Sequence, residues 1–224
     1  MKNKKLLRYI PPICMLIIIL VSGFSLNQMP ILMLPLCLSV FIMLFQSEAN
    51  RYGYLVGGFN CLLYGFADGY VGLYATAASD VLLFFPIQLF TFLNWNKHPD
   101  GNTVIFKKLT TKQRLFTATA FIAAGIIQYI ILTAIGSNYA ILDNVVSLLG
   151  ILVAVLTLFA YIEYSYIWII STTLSAVLRF RVLLNDVSQL SFFIMAIYNV
   201  CYVTIAFINV RKNYLRQQKE QLDA

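Results

Sequence analysis

Eight apolar runs of helix length follow one another along this chain, and they limit what it can fold into more than any other feature. A run of about 20 apolar residues is long enough to cross a hydrocarbon layer of roughly 30 Å as an α-helix. The runs predict eight spans, at about 9–26, 29–47, 52–67, 73–95, 115–135, 140–161, 166–182 and 189–210.

Composition supports a membrane location. Only 11% of the residues are charged and 60% are hydrophobic, whereas a soluble domain is about one quarter charged. The sequence therefore predicts an all-α integral membrane protein. The formal net charge of +7 comes from lysines and arginines clustered at the ends of the spans, so they are interpreted as topology determinants and not as a nucleic-acid surface.

Several kinds of chemistry are not indicated. The four cysteines all lie inside apolar runs without short spacing, which is typical of small buried side chains and not of a disulfide framework or metal site: Cys14, Cys37, Cys61 and Cys201. The single histidine, His98, lies in a loop. No nucleotide-binding glycine loop and no nucleophile elbow is present. We therefore expect no enzyme activity, no cofactor and no direct use of ATP.

Lysine and arginine are distributed unevenly between alternate connections. One side takes the N-terminal cluster, Arg51, the 96–114 loop, the turn at Glu163 and the tail from Arg211. The opposite connections, near 26–28, 68–72, 136–143 and 183–188, contain no lysine or arginine. This asymmetry predicts a multi-pass cell-membrane protein with both termini cytoplasmic. The first run is interpreted as a span or an interfacial helix, with a cleaved signal peptide as the alternative.

The order of the runs suggests an internal repeat. An offset of 115 residues places Glu48 on Glu163, Phe92 on Phe207, Asn94 on Asn209 and Lys97 on Lys212. Three helices, one linker helix and three more helices would give two halves with the same orientation and a site between them. The predicted divisions are an N-terminal span (1–28), a first bundle (29–95), a loop and linker helix (96–139), a second bundle (140–212) and a polar tail (213–224).

Polar residues recur at steps of three or four along four of the predicted helices, so each set marks one protein-facing stripe. The stripes are Asp80, Phe84, Gln88, Thr91 and Trp95; Asp143, Ser147, Gly150, Ala154, Thr157 and Tyr161; Trp168, Thr172, Ser175 and Arg179; and Ser191, Met195, Tyr198, Tyr202 and Asn209. A carboxylate or amide at membrane depth is costly and indicates function. Aromatic rings alternating with amides and hydroxyls suit a flat heteroaromatic solute that bears hydroxyls.

Structural roles compete with this interpretation. Gly150 and Ala154 fit small-residue helix packing. Asp143 also fits a water-exposed cap at the start of its own helix. Trp95 fits an aromatic belt at the membrane surface, while Arg179 and Arg181 are expected to reach the non-cytoplasmic surface with their side chains.

The segment GLYATAASDVLLFFPIQLFTFLNWNK, which begins at Gly72, resembles the corresponding region of PnuC-type vitamin transporters. A Gly-Leu-Tyr turn leads into a helix with a Pro-x-Gln element and ends in Trp and a basic residue. The later segment from Asp143 to Arg211 is similar to the second half of that family, and the resemblance covers about 48–212.

This resemblance implies a fold and a function. The fold would be two parallel three-helix bundles joined by a linker helix, similar in plan to SWEET sugar transporters and usually trimeric. The function would be energy-independent uptake of nicotinamide riboside, or of thiamine, riboflavin or deoxynucleosides in relatives, with a cytoplasmic kinase trapping the product. One departure concerns the Trp-x-x-Trp element of the nicotinamide riboside members. Its second tryptophan is Trp168 here, but its first position is Ser165.

The predicted substrate site combines the stripes with this resemblance. Trp168 is expected to stack on the substrate; the other predicted site residues are Gln88, Tyr198, Asn199 and Thr172, with Asp80 and Glu163 as gate or binding candidates. Two rival hypotheses remain. A proton-coupled transporter would use Asp80 or Glu163 as a relay, and a non-transporting membrane scaffold would use the stripes for helix packing alone.

Overall fold

The computed structural model describes residues 9–97, 99–100, 103–137 and 139–222. Each predicted run forms helix. The helices are α1 (Ile10–Ser25), α2 (Pro30–Ser47), α3 (Tyr52–Tyr70), α4 (Tyr74–Ser79), α5 (Phe85–Lys97), α6 (Thr111–Ala134), α7 (Ala140–Leu158), α8 (Tyr164–Asn185) and α9 (Leu190–Leu222). A π-helical turn, Asp80–Phe84, joins α4 to α5, and a 3₁₀ turn, Val187–Gln189, precedes α9. The predicted all-α class is confirmed; the strands within the described residues are two-residue pieces, Pro99–Asp100 and Thr103–Val104.

Six of the described helices are long and apolar enough to cross a membrane: α2, the continuous α4–α5 segment, α6, α7, α8 and α9. Of the other two predicted spans, α1 is shorter, with 16 residues. Helix α3 has 19 residues, about 28 Å, but its polar side chains and five glycines lower its mean hydropathy. Its two polar side chains without an aromatic ring, Asn60 and Asp68, are buried inside the protein, which explains why a weakly apolar helix is tolerated there.

Six helical segments close into a ring. Going around it, α2 packs on α3, α3 on α4–α5, α4–α5 on α7, α7 on α8, α8 on α9, and α9 again on α2. Two helices lie outside the ring: α1 packs on α2 and α9, and α6 packs on α7 and α4. Helix α1 therefore holds the same position beside the first three ring segments that α6 holds beside the last three.

Local contacts repeat between the halves. Asn94 at the end of α5 donates from Nδ2 to the carbonyl of the last residue of α7, Leu158, at 2.7 Å. Asn209 on α9 donates likewise to the last residue of α2, Ser47, at 2.8 Å. Helices α2 and α7 also end alike, with a left-handed alanine two residues beyond each end. This equivalence supports the predicted repeat, and the domain boundaries stay a prediction.

The single 115-residue offset is too simple. The asparagine pair fits that offset, but the ends of α2 and α7 differ by 111 positions, since Ser47 corresponds to Leu158. Consequently Glu48 and Glu163 are not equivalent: Glu48 directly follows α2, whereas Glu163 directly precedes α8. The spacing changes because connections of unequal length separate otherwise similar helices.

The two ends of the ring differ in chemistry. At one end, which we call the aromatic end, four rings pack together: Tyr54, Trp95, Phe106 and Tyr164. The centroid of each ring lies 4.8 to 6.3 Å from that of the next ring in this series. At the opposite end Leu73, Val146, Leu178 and Val182 form a smaller apolar cluster. Connections predicted to share one side of the membrane thus meet at one end of the ring.

The segment after the last span, predicted as a polar tail, is helical. Helix α9 continues to Leu222, and Gln217 is buried. Its amide accepts from the Phe106 backbone at 3.0 Å and donates to the Val104 carbonyl at 3.0 Å. The extension therefore fastens the 104–106 segment against the aromatic end.

Candidate functional site

The ring encloses a central cavity in two adjoining parts, of about 250 and 280 Å³. Eight residues line both parts: Met43, Gln46, Thr76, Phe84, Gln88, Trp168, Ser175 and Asn199. They come from α2, α4–α5, α8 and α9, so both halves contribute walls. A largely apolar cavity with a few converging polar groups is typical of a small-molecule site.

Most of the predicted site residues meet here. Trp168, Gln88 and Asn199 line both parts of the cavity. Thr172 lines the part toward the aromatic end, which also includes Tyr54, while Asp80 lines the other part. The structure thus gathers five sequence-predicted residues around one space.

Two predicted residues lie elsewhere. The hydroxyl of Tyr198 donates to the Val40 carbonyl at 3.2 Å, and its ring packs on Tyr202 at 4.5 Å. Successive residues of an α-helix point about 100° apart. Asn199 faces the cavity, so its neighbour Tyr198 faces the packing between α9 and α2.

Glu163 is the second predicted residue outside the cavity lining. It forms an ion pair with Arg114 at 2.9 Å and accepts from the Leu109 backbone at 3.2 Å. These contacts tie the start of α8 to the first turn of α6 and to the segment before it. Glu163 therefore holds the aromatic end together instead of touching the central space.

Gln88 is held by neighbours that the sequence did not single out. Its Oε1 accepts from Gln46 Nε2 at 3.4 Å, and its Nε2 donates to Cys61 Sγ at 3.3 Å. Gly57 on α3 leaves room for this amide, since a Cβ there would lie 2.3 Å from Gln88 Oε1. Gln46 also donates to the Gly53 carbonyl at 3.4 Å. In the sequence, Gln46 could have been found as a cavity residue because it is a glutamine inside an otherwise apolar run.

The π-helical turn positions Asp80 and Phe84. The Phe85 N–H bonds to the Asp80 carbonyl, five residues back, and Pro86 has no N–H to continue the α pattern. Pro86 is thus accommodated by one widened turn. Phe84 packs against Gly150, where a Cβ would lie 2.8 Å from the ring. Gly150 therefore serves close packing beside the cavity.

A buried ion pair crosses the cavity between the two halves. Arg179 Nη2 on α8 donates to Asp68 Oδ1 on α3, and both residues are more than nine-tenths buried. The prediction that Arg179 extends to the membrane surface is wrong. Its guanidinium lies 5.1 Å from the centroid of Phe192 and lines the cavity. A buried carboxylate one turn before the end of α3 supplied the partner that keeps it inside.

Asp143 also differs from expectation, because it caps a different helix. It is fully buried and accepts from the backbone N–H groups of Ala75 at 2.9 Å and Thr76 at 3.0 Å, and from the Thr76 hydroxyl. These groups belong to the first turn of α4, whose N–H groups have no partner within the helix. Asp143 thus joins the second half to the first.

Trp95 does not lie in a membrane-surface belt. Its side chain is fully buried, and Nε1 donates to the Thr157 carbonyl at 2.9 Å. The last carbonyls of a helix have no intrahelical donor, so the end of α7 offered this indole a partner inside the protein. The expectation of a lipid-facing Trp95 is therefore corrected.

The predicted stripe on α7 faces the protein in the structure. Asp143, Ser147 and Thr157 of the α7 stripe are buried, as a protein-facing stripe requires. Within the described residues, no group of three or more His, Cys, Asp or Glu side chains is placed to hold a metal ion. All four cysteines are free thiols.

Comparison with known proteins agrees with this geometry. Residues 30–213 match the family described as Nicotinamide mononucleotide transporter. The nicotinamide riboside transporter PnuC of Neisseria mucosa is 25% identical over 183 residues, covering 77% of this chain and 68% of that protein. The crystal structure of the vitamin B3 transporter PnuC has a TM-score of 0.80 with 22% identity, and the match covers 94% of this chain and 93% of that one.

These matches confirm the resemblance inferred from the sequence. The likeness to the solved structure establishes the fold, and the family match extends over most of the ring. The chain therefore belongs to the nicotinamide mononucleotide transporter family, the membrane transporters that include PnuC.

Proposed function

We propose that this protein carries nicotinamide riboside across the cell membrane by facilitated diffusion. The name of the Neisseria relative supports the substrate. The observation that carries the proposal is the meeting of Trp168, Gln88 and Asn199 in one cavity between the halves. An indole face suits the pyridinium ring, and the amides suit the carboxamide and ribose hydroxyls.

The charges around the cavity favour the riboside over the mononucleotide. Among the described residues that line it, Arg179 alone carries a positive charge, and it is already paired with Asp68. A phosphate group is normally bound by free arginine or lysine side chains or by helix N-termini. The extra phosphate of the mononucleotide would find no such free cation here.

The transport cycle would alternate between the two ends of the ring. The Asp68–Arg179 pair would close one end, and the aromatic end would close the other. We place the aromatic end in the cytoplasm, with both termini, because the lysine- and arginine-rich connections meet there. A cytoplasmic kinase would trap the product, and a homotrimer would be the assembled form, as the family resemblance implies.

Uptake into vesicles tests the proposal directly. Purified protein is reconstituted into liposomes without any kinase, and labelled nicotinamide riboside, nicotinamide mononucleotide, thiamine, riboflavin and deoxynucleosides are compared. We expect nicotinamide riboside to equilibrate without ATP or an ion gradient, and Trp168→Ala to slow it. Equilibration of none of these compounds would refute the carrier, while collapse of uptake with an uncoupler would favour proton coupling.

A related vitamin is the second candidate because of Ser165. This residue replaces the first tryptophan of the family element, is buried, and donates to the Ile162 carbonyl at 2.9 Å. It adds no aromatic surface to the cavity, so Trp168 stacks without that partner. Faster equilibration of thiamine, riboflavin or a deoxynucleoside in the same assay would select this candidate.

A further inference from the structure

Asp80 stands out among the polar residues of the cavity as a buried acid that forms no direct ion pair with a described residue. Only 7% of the residue is exposed, and that exposure faces the cavity part that also contains Gln88 and Trp168. Within the described part of the chain, its carboxylate accepts no side-chain or backbone hydrogen bond. It begins the π-helical turn, a deviation that often occurs at functional positions.

The neighbouring charges do not balance it. Two carboxylates, Asp68 and Asp80, line this part of the cavity with one guanidinium, Arg179, which leaves a net charge of −1. Arg179 donates its hydrogen bond to Asp68, and no hydrogen bond joins Arg179 to Asp80 among the described residues. The other ionisable side chains of this part, Cys61 and Tyr64, carry no positive charge in any protonation state.

Such an arrangement is costly unless something else occupies the site. A buried carboxylate without a partner loses several kcal/mol of hydration. In contrast, Asp143 on the neighbouring helix is buried with three donors and is fully explained by capping. Asp80 has no comparable structural role, so its position indicates that a cation enters the cavity.

We propose that Asp80 selects the charge of the substrate, by acting as the counter-ion of a positively charged heteroaromatic ring that stacks on Trp168. This inference rests on the proposed function and adds a specificity-determining residue to it. It predicts that the carrier favours cationic ring systems over neutral rings of the same shape. The pyridinium nitrogen carries no N–H, so this attraction is Coulombic, and at a site with little water it should give a preference of about tenfold or more.

The test compares two forms of one compound that differ in charge. Nicotinamide riboside is a pyridinium cation, and its 1,4-dihydro form is neutral and nearly isosteric. Binding of both is measured with wild-type protein, Asp80→Asn and Asp80→Glu, with thermal unfolding as a check on folding. We expect wild type to bind the cation at least tenfold more tightly, Asp80→Asn to lose that preference, and Asp80→Glu to keep part of it.

The outcomes separate this inference from the proposed substrate. If wild type binds neither form, the proposed function is wrong. Equal binding of both forms by wild type would overturn the charge-selecting role while leaving the substrate in place, even if the Asp80 variants fail to fold. If Asp80→Asn weakens binding of the two forms equally, the charge-selecting role is also overturned. The same holds if uptake of both forms is driven by protons and Asp80→Asn abolishes that uptake.

Discussion

Replacing Gly57 with alanine should displace the Gln88 amide from the cavity without unfolding the protein. A Cβ at this position would lie 2.3 Å from Gln88 Oε1 and 3.2 Å from Gln46 Nε2. An ordinary contact is about 3.4 Å or more, so Gln88 must move by roughly 1 Å. The atom that must move is the free end of a flexible side chain, and it has the cavity to move into.

The expected loss follows from the hydrogen bonds that Gln88 can make. Its bond to Gln46 is long, at 3.4 Å, and its bond to Cys61 goes to sulfur, a weak acceptor, so both contribute little to stability. A hydrogen bond to the substrate is worth about 0.5–1.5 kcal/mol, so binding should weaken about twofold to tenfold. Alanine is also a better helix former than glycine by about 1 kcal/mol, which offsets strain in α3.

Isothermal titration in detergent, with thermal unfolding alongside, measures this effect. Gly69→Ala on the same helix is the matched control, since the nearest side-chain atom to its Cβ would lie at an ordinary 3.7 Å. In a Gln88→Ala background, Gly57→Ala should have no further effect on binding because the displaced group is gone. Wild-type affinity in the Gly57→Ala single variant would refute the role given to Gln88.

Three further substitutions test the rest of the site. Asp68→Asn should lower the free energy of unfolding by about 3–5 kcal/mol because it leaves Arg179 buried and unpaired. Asp68→Leu combined with Arg179→Met should cost less than the sum of the two single changes. Chemical denaturation measures these costs, and additive costs would contradict the pairing. Trp168→Ala should weaken substrate binding about tenfold or more, and Trp168→Phe should weaken it less. Calorimetric titration measures both affinities, and an equal loss of affinity in the two variants would count against stacking. Trp95→Phe should lower stability by about 1 kcal/mol through its lost bond to Thr157 while substrate affinity is kept; a lost affinity would instead place Trp95 in the site.

Much of the cavity could be predicted from residue order. Trp168, Thr172, Ser175 and Arg179 recur at helical steps on α8, and all four line the cavity. Helical periodicity is a local property, so the shared face of such a set is visible before the helices pack. The direction of that face, toward lipid, a neighbouring helix or the cavity, is not local.

Tyr198 and Asn199 illustrate this limit. Both were predicted to bind substrate, and successive residues on one helix point about 100° apart, so the sequence alone does not say which of them faces the cavity. Only the packing of α9 against α2 turned Asn199 toward the cavity and Tyr198 toward Val40. Gln46 is the converse case, since nothing in its own apolar run showed that α3 and α5 would bring Gly57 and Gln88 beside it.

By itself, the sequence determined that this protein is a membrane bundle with polar faces turned inward, because apolar length and helical period are written in consecutive residues. The tertiary structure decided which polar groups meet. Asp68 and Arg179 are 111 positions apart, and their pairing keeps Arg179 inside the protein. Asp80 lines the same space, and none of the described residues donates a hydrogen bond to it. The energy of a charge in a membrane depends on its neighbours in three dimensions. Only the folded ring of helices therefore shows that Arg179 pairs with Asp68 and not with Asp80.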